Sequence, residues 1–524
     1  MIPTQNWDVR KPAARSRRGV VASQNGKAAE IGAAALAEGG NAVDAVLAAA
    51  FGLAAVEPWN SGLGGIGFMV VQLPQMGHAE CVDFGPVAPR RLDPKAFPLT
   101  GGVASELFTW PQVEGDRNMK GPLSFATPSA VAGYALAAER FGRLPWRRLV
   151  EPAAALAREG REVDWWLTVK TAYAASDLRR YEESRRVWLA DGLPPCAPAD
   201  GGGPRLVLGR LPETLARLAE QGAEDFYTGE IARSIAADVA AAGGVLSADD
   251  LAQCRARIVP ALDIAYRGLG FAAAPGLTAG PSLETALGIL SGRQFSGAPD
   301  ALYFAAVVEA LQRAYAERLA GFGDSEADGT TSTTHVTAAD SEGGIAALTT
   351  TLLSSFGSRY VLPGTGILMN NGIMWFDPRP GRPNSIGPGK RALNNMCPLV
   401  VARDGRPWFG IGASGGRRIL GAVMQVASFI VDFAMTPEEA AHHPRVDVSG
   451  GERVAVDARM PATIREALAA HSGAGIAEHA AWPALFACPN LVLRGPDGVN
   501  CGVSDVMSPN SAAVAEAEGG RSGG

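Results

Sequence analysis

Apolar and polar positions divide the chain into two kinds of text. Val20-Val21-Ala22 reads as a short strand, followed by an alanine-rich helix that ends at Gly39-Gly40. Asn41 is placed to cap a second helix running to about Val56, with Asp44 in its first turn and Pro58 as its stop. A glycine-rich loop, Ser61 to Gly67, leads into a strand from Phe68 to Leu73. From about 124 to 260 the pattern is helical, with Ala/Leu faces interrupted by Pro and Gly. Within it, residues 184 to 210, containing PPCAPADGGGP, read as an irregular surface loop. One more amphipathic helix fills 300 to 320. The next stretch, GFGDSEADGTTSTT, is polar and has no apolar period, as an exposed linker or processing loop would.

Beyond it the period changes. His335 to Ala339 and Ile345 to Leu352 alternate on either side of Asp340-Ser341-Glu342-Gly343-Gly344, a hairpin signal. Pro398 to Ala402 and Trp408 to Ile411 repeat that signal around Asp404-Gly405. Helices follow at Arg418 to Phe433 and at Pro437 to His442, the latter ending before Pro444. No internal repeat is visible. A helix-rich first half and a strand-rich second half predict a layered α/β or α+β protein with a boundary near residue 330.

Composition narrows the function classes. Of 524 residues, 47% are hydrophobic and 19% charged, enough apolar text for a sizeable core. A net charge of −6 gives no electrostatic reason to expect nucleic acid or an anionic membrane as partner. The longest apolar run, Ala45 to Val56, is too short to span a bilayer. The opening MIPTQNWDVRKPAARSRRG has no apolar core, so no signal peptide is read there and a cytoplasmic location is expected. The cysteines, Cys81, Cys196, Cys254, Cys397, Cys488 and Cys501, form no C-x-x-C pair. Cys488 and Cys501 are spaced to pair across turns, but a reduced set is the expectation. Six histidines lack metal-ligand spacing, so neither metal nor other cofactor is expected. His442-His443 reads as a helix end, and His335 as a structural residue pointing out from its strand.

Three segments carry candidate chemistry. Gly62 to Gly67 matches G-x-G-x-x-G, but a helix precedes it and a strand follows, the reverse of a dinucleotide site. It reads as a tight turn where backbones approach closely. Gly412-Ala413-Ser414-Gly415-Gly416 matches G-x-S-x-G with a strand entering and a helix leaving. On a serine-esterase reading Ser414 is the nucleophile, with Asp457 and His471 or His479 behind it; on the other reading the turn is an anion-binding helix start. The third segment is Thr330, Thr331, Ser332, Thr333 and Thr334, running into one strand and facing a second that holds Thr349, Thr350 and Thr351. It is either a hydroxyl-rich linker or the site of a threonine whose own α-amine, freed by chain cleavage, activates its hydroxyl. Such chemistry needs in addition only an oxyanion hole, which a glycine turn can supply.

At this point the sequence resembles the γ-glutamyltranspeptidase family of N-terminal-nucleophile hydrolases, over nearly its whole length. GGNAVDAVLAAAFGLAAVEPWNSGLGGIGFMVV resembles the family's first helix pair and glycine loop, and PSAVAGYALAAERFG its next helix. Thr333-Thr334-His335, Thr351, Gly364 to Asn371, Pro388-Gly389-Lys390-Arg391 and Ser414-Gly415-Gly416 follow in family order. The resemblance implies an α+β fold, a four-layer αββα sandwich of two subunits cut from one precursor between Ser332 and Thr333. These are a large subunit, 1–332, and a small one, 333–524. It also implies Thr333 as nucleophile, Thr351 as the threonine bonded to it, and Gly415 and Gly416 as the oxyanion hole.

Departures from the family pattern bear on the substrate. Where the family has a carboxylate-binding arginine after its Asp-Phe pair, this chain has Gly85. Leu353 replaces an asparagine, Gly372 and Trp375 replace the glutamine and aspartate that hold the substrate amine, and Asn394 and Asn395 replace paired serines. Unless Arg90 or Arg91 swings in, both charged anchors of a γ-glutamyl group are gone. The segment Gly366 to Pro378 and the short stretch before Thr333 are more similar to the branch containing oxamate amidohydrolase. Trp375 is then expected to narrow the pocket, and Asn394 and Asn395 to offer neutral donors to a carboxylate. The expected partners are a small-molecule amide and the two subunits for one another, with a dimer of that pair left open. The expected reaction is hydrolysis of an oxamate-like amide through an acyl-enzyme. The alternatives are a true γ-glutamyltransferase or glutathione hydrolase, the Ser414 esterase, and an inactive homologue acting as a binding protein.

Overall fold

The computed structural model describes residues 9–104, 110–189, 191–198, 202–295, 297–322, 331–449, 454–477 and 486–517. Two seven-stranded sheets form its middle. In the first sheet the order is Ala512–Ala515, Val20–Ser23, Thr331–Ala339, Ile345–Ser354, Ile66–Gln72, Glu80–Phe84 and Arg257–Pro260. The second runs Ala14–Ser16, Asn500–Ser504, Cys488–Arg494, Arg406–Ser414, Leu399–Arg403, Leu269–Ala273 and Leu262–Tyr266. Every neighbouring pair in both sheets is antiparallel.

Both sheets are buried on both faces, and the period of two sorts their side chains into three cores. Val21, Val336, Ala338, Ala346 and Leu348 face a helical layer that includes Gly26–Ala37, Ala42–Val56 and Ala130–Phe141. Their neighbours Val20, Ala22, Ala339, Ile345 and Ala347 face the second sheet and meet Val400 and Val492. On the far side of the second sheet, Leu399, Val401, Phe409, Ile411 and Leu491 pack on Gly280–Ser291, Ala301–Phe322 and Arg418–Phe433. The result is the four-layer αββα sandwich that the family resemblance implies.

Local signals placed the elements well. Asn41 Oδ1 accepts from the N–H groups of Val43 (2.9 Å) and Asp44 (3.2 Å), and Asp44 Oδ2 accepts from Asn41 N (2.9 Å), a reciprocal cap. All of helix Ala42–Val56 behind it is buried. The Asp404-Gly405 turn has φ of +53° and +74°, the two left-handed residues that a tight hairpin needs.

Two expectations are corrected. Residue 330 is no boundary between folded units, because both sheets interleave strands from before and after it. The region 184 to 210 is not all loop: Glu182–Trp188 is a helix, and Arg205–Leu206 pairs with Arg161–Glu162. His335, expected to be structural, is fully buried between the sheets. All six cysteines are free thiols, Cys488 and Cys501 included.

The two sheets meet over a row of glycines. A Cβ on Gly410 would lie 2.6 Å from Ile345 Cγ2 and 2.8 Å from Thr337 Cγ2, and one on Gly412 would lie 2.3 Å from the His335 ring. Replacing Gly412 by alanine is therefore expected to overpack the interface at a cost of about 1–3 kcal/mol. Urea titration should give a lower midpoint with an unchanged slope; an unchanged midpoint would refute this packing.

Candidate active site

The strand Thr331–Ala339 carries its odd-numbered side chains into the space between the sheets. Thr333, His335 and Thr337 point there, and Thr349 and Thr351 join them from the neighbouring strand. The pairing slips beside Thr333. Ser332 lies opposite Leu353 but Thr334 lies opposite Thr350, so the second strand holds one extra residue. Leu353 absorbs the slip with φ of +83°, a left-handed conformation costing a non-glycine residue about 1–2 kcal/mol. Its N–H then turns back to donate to Thr351 Oγ1 at 2.8 Å. Thr351 Oγ1 in turn lies 3.2 Å from Thr333 Oγ1, and both residues are buried.

The glycine loop at 62 to 67 makes this slip possible. A Cβ on Gly65 would sit 3.0 Å from Thr351 O, and one on Gly64 would sit 2.3 Å from Leu368 O. Backbones approach there as only glycine permits. Asn370 Nδ2 ties the loop down by donating to Gly64 O (2.7 Å) and Ala126 O (3.0 Å). Asn371 Oδ1 accepts from Ser354 N at 3.1 Å.

From the other sheet, strand Arg406–Ser414 ends in a turn that opens helix Arg418–Phe433. Gly415 has φ of +144° and Gly416 of +58°. Their carbonyls accept from Arg418 N and Ile419 N at 3.2 Å each, which aims the positive end of the helix dipole at the turn. Thr333, Leu353, Trp375, Asn395, Met396, Gly416, Arg417 and Ile419 enclose a cavity of about 10 Å³, room for roughly one water.

Of the residues the sequence singled out, the cavity therefore gathers Thr333, Leu353, Trp375, Asn395 and Gly416, with Thr351 one hydrogen bond behind. Gly415 stands one residue back, its missing Cβ 2.6 Å from that of Ala487. Asn394 and Gly372 lie outside the lining. The Asn394 amide is used internally, donating to Leu277 O (2.8 Å) and accepting from Met396 N (3.2 Å). Gly372 donates to Asn370 Oδ1 (2.9 Å), and a Cβ on it would meet Ala126 at 2.5 Å. Ser332 and Thr333, at the expected cleavage point, both lie in strand Thr331–Ala339 at the register slip.

The charged groups sort themselves equally clearly. Arg90 and Arg91 are exposed, and Arg91 pairs with Asp249 at 3.6 Å, so neither replaces the family's arginine in the cavity. Gly85 sits against Phe68, with no room for a side chain. Arg257 and Arg391 are held by Asp83 at 2.6 and 3.2 Å. Sequence reasoning missed Arg417, whose signal was a basic residue directly after the Gly-Gly turn. The serine triad is not assembled by the described residues. Ser414 Oγ is buried with no hydrogen-bond partner, Asp457 is paired with Arg459 (2.7 Å), and His479 lies outside the described residues. His471 lies on helix Ala462–Ser472, beside a different cavity lined by Arg293, Phe295 and Phe433. Among the described residues no group of three or more His, Cys, Asp or Glu is arranged to hold a metal.

The sequence model of Gamma-glutamyltranspeptidase matches residues 28–332 and 325–515. The glutathione hydrolase proenzyme of Escherichia coli (strain K12) is 30% identical over 489 residues, covering 82% of this chain and 81% of that protein. The acylase ACY 1 proenzyme of Pseudomonas sp. (strain SE83) is 29% identical over 535 residues, covering 94% and 93%. Among solved structures, cephalosporin acylase from Bacillus halodurans superposes with a TM-score of 0.85 at 24% identity, over 99% of this chain and 100% of that one.

His335 supplies a test of the buried polar row. Its ring nitrogens meet Thr349 Oγ1 (2.9 Å) and Thr337 Oγ1 (2.5 Å), and burial pushes its pKa down to about 3. In the unfolded chain the imidazole takes its proton near the ordinary value of about 6.5. Between these two values the unfolded state holds a proton that the folded state refuses. Stability is thus fully present above about pH 6.5 and declines as pH falls towards 3, by about 1.4 kcal/mol per unit. Urea midpoints measured from pH 7 to 4.5 should fall, and fall less steeply for His335→Gln; parallel profiles would contradict the assignment.

Proposed function

The chain belongs to the gamma-glutamyltranspeptidase family and is a hydrolase of it; on that premise we propose that it is a self-processing threonine amidohydrolase acting on a small carboxylate-bearing amide. The observation that carries the reading is the pair of hydroxyls, Thr333 and Thr351, held 3.2 Å apart at the register slip beside the Gly415-Gly416 turn.

In the intact chain Thr333 Oγ1 attacks the carbonyl carbon of Ser332. The peptide C–N bond breaks, the acyl group passes to oxygen, and water hydrolyses the ester. This frees the Thr333 α-amine and divides the chain into 1–332 and 333–524. The proenzyme relatives in Escherichia coli and Pseudomonas support such a division. It also fits the interleaved sheets, since two fragments sharing three cores stay together without a covalent link.

In turnover the freed amine takes the proton of Thr333 Oγ1 as the oxygen attacks the substrate amide. Thr351 Oγ1, held 3.2 Å from Thr333 Oγ1 and anchored by the N–H of Leu353, serves in this mechanism as the hydroxyl that stabilises developing negative charge there. The negative oxygen of the tetrahedral intermediate meets the N–H groups of the glycine turn at the helix start. The amine leaves with the proton, and water then releases the acid by the same route. The acyl group is small, oxamate-like in size, because Trp375 and Leu353 close the cavity on its apolar side. Asn395 offers it a neutral polar contact.

Glutathione hydrolysis is the competing reading, supported by the relative at 30% identity. Against it, none of the described residues lining the cavity is acidic, and the family's arginine position is Gly85. Losing two charge-assisted anchors costs about 3–6 kcal/mol, roughly a hundred- to ten-thousand-fold in affinity. Ammonia release from oxamate and succinamate, compared with glutathione cleavage by the same preparation, decides between them. The proposal expects the small amides to be the better substrates, and glutathione as the better substrate would overturn it. Thr351→Val is expected to lower kcat about 10- to 100-fold with little change in KM; full activity would remove Thr351 from the mechanism.

A further inference from the structure

The cavity at Thr333 has one charged side chain among its described lining residues, that of Arg417. It follows Gly416 directly, so cation and glycine turn are consecutive along the chain. Arg417 is 8% exposed and caps the 16-residue helix Arg418–Phe433, whose positive end adds to its field. Its carbonyl is fixed by the Tyr315 hydroxyl. Arg318 stands behind it, 6% exposed, donating to Thr278 O at 2.6 Å and to Asn394 O, and reaching Asn395 Oδ1 at 3.4 Å. Burial lowers the Arg318 pKa to about 10, and the Arg417 charge acts in the same direction. Arg417 on the lining, with Arg318 near it outside the lining, thus makes this side of the site positive.

A second observation points to the same ligand. Trp375 lines this cavity at 4% exposure, and its indole N–H is buried without a hydrogen-bond acceptor. A buried donor left unsatisfied is costly, and a ligand oxygen is the natural acceptor at such a place. The remaining walls, Leu353, Met396 and Ile419, are apolar.

We propose that Arg417 and the Trp375 indole N–H bind a free carboxylate on the acyl portion of the substrate, making the enzyme selective for monoamides of short dicarboxylic acids that lack an α-amine. Because Arg417 adjoins the turn that receives the oxyanion, the carboxylate and the scissile carbonyl are separated by only a few carbons. The inference rests on the amidohydrolase reading above and adds to it the residues that select the acyl group.

The test compares hydrolysis of succinamate with that of butyramide, its uncharged counterpart, in wild type, Arg417→Met, Arg417→Lys and Trp375→Phe. Division of each variant into two fragments reports that it has folded. The selectivity for succinamate over butyramide should fall about 10- to 100-fold in Arg417→Met, chiefly through KM, and recover in part in Arg417→Lys. Trp375→Phe, which removes only the N–H and serves if the arginine variant fails to fold, should lose a smaller factor in the same direction. Unchanged selectivity in the folded variants would overturn the proposal. If wild type hydrolyses neither amide, the amidohydrolase reading fails separately, and calorimetric binding of succinate to the divided protein decides this site. Weaker binding in the Arg417 or Trp375 variant keeps it; equal binding, or none to wild type, overturns it.

Discussion

The structure depends on burying a row of polar side chains where two sheets press together. Thr333, His335, Thr337, Thr349 and Thr351 occupy the middle of an αββα sandwich, a place the other strands fill with Val, Ala and Ile. Polar groups survive there only if they satisfy one another. His335 does this by bonding Thr349 and Thr337, at the cost of refusing a proton until far below its ordinary pKa. Room for the row comes from Gly410 and Gly412 on the opposite sheet. The polar row and the glycine row are two halves of one packing solution.

The chemistry of the site follows from where that row ends. One residue beyond His335 on the same face the ladder slips, and the extra residue brings Thr351 against Thr333 rather than against water. The strand from the opposite sheet ends at the same level, so its glycine turn and helix start arrive beside the same hydroxyl. Thr333, Thr351 and the Gly415-Gly416 turn, proposed as nucleophile, hydroxyl partner and oxyanion hole, are each placed at the end of a sheet strand. Strands from both sides of residue 333 share all three cores, so the two fragments of the proposed division would stay packed together.

Much of this was legible in the sequence, for identifiable reasons. Hairpins with strong turn residues and helices with clear stops, such as Pro437–His442 before Pro444, follow from local chemistry. The glycine loop at 62 to 67 was readable as a close backbone approach because its flanking elements ran the wrong way for a dinucleotide site. What failed were inferences needing tertiary context. The helix Glu182–Trp188 runs into a stretch whose Pro and Gly content reads as loop, because its buried Val187 and Trp188 are recognised only through the core they join. Asn394 and Asn395 are adjacent and alike in sequence, yet opposite in placement: one amide is spent on Leu277 and Met396, the other lines the cavity. Arg417 follows the glycine turn directly, and only the packing of the two sheets brings it to the cavity.

The central claim is that Thr333 is both the point of division and the nucleophile. Denaturing mass spectrometry of the purified protein beside Thr333→Ala tests it directly. The account predicts two fragments from the wild type, the smaller beginning at Thr333, and a single intact chain of 54.3 kDa from the variant. An undivided wild type, or division that persists in Thr333→Ala, would contradict it.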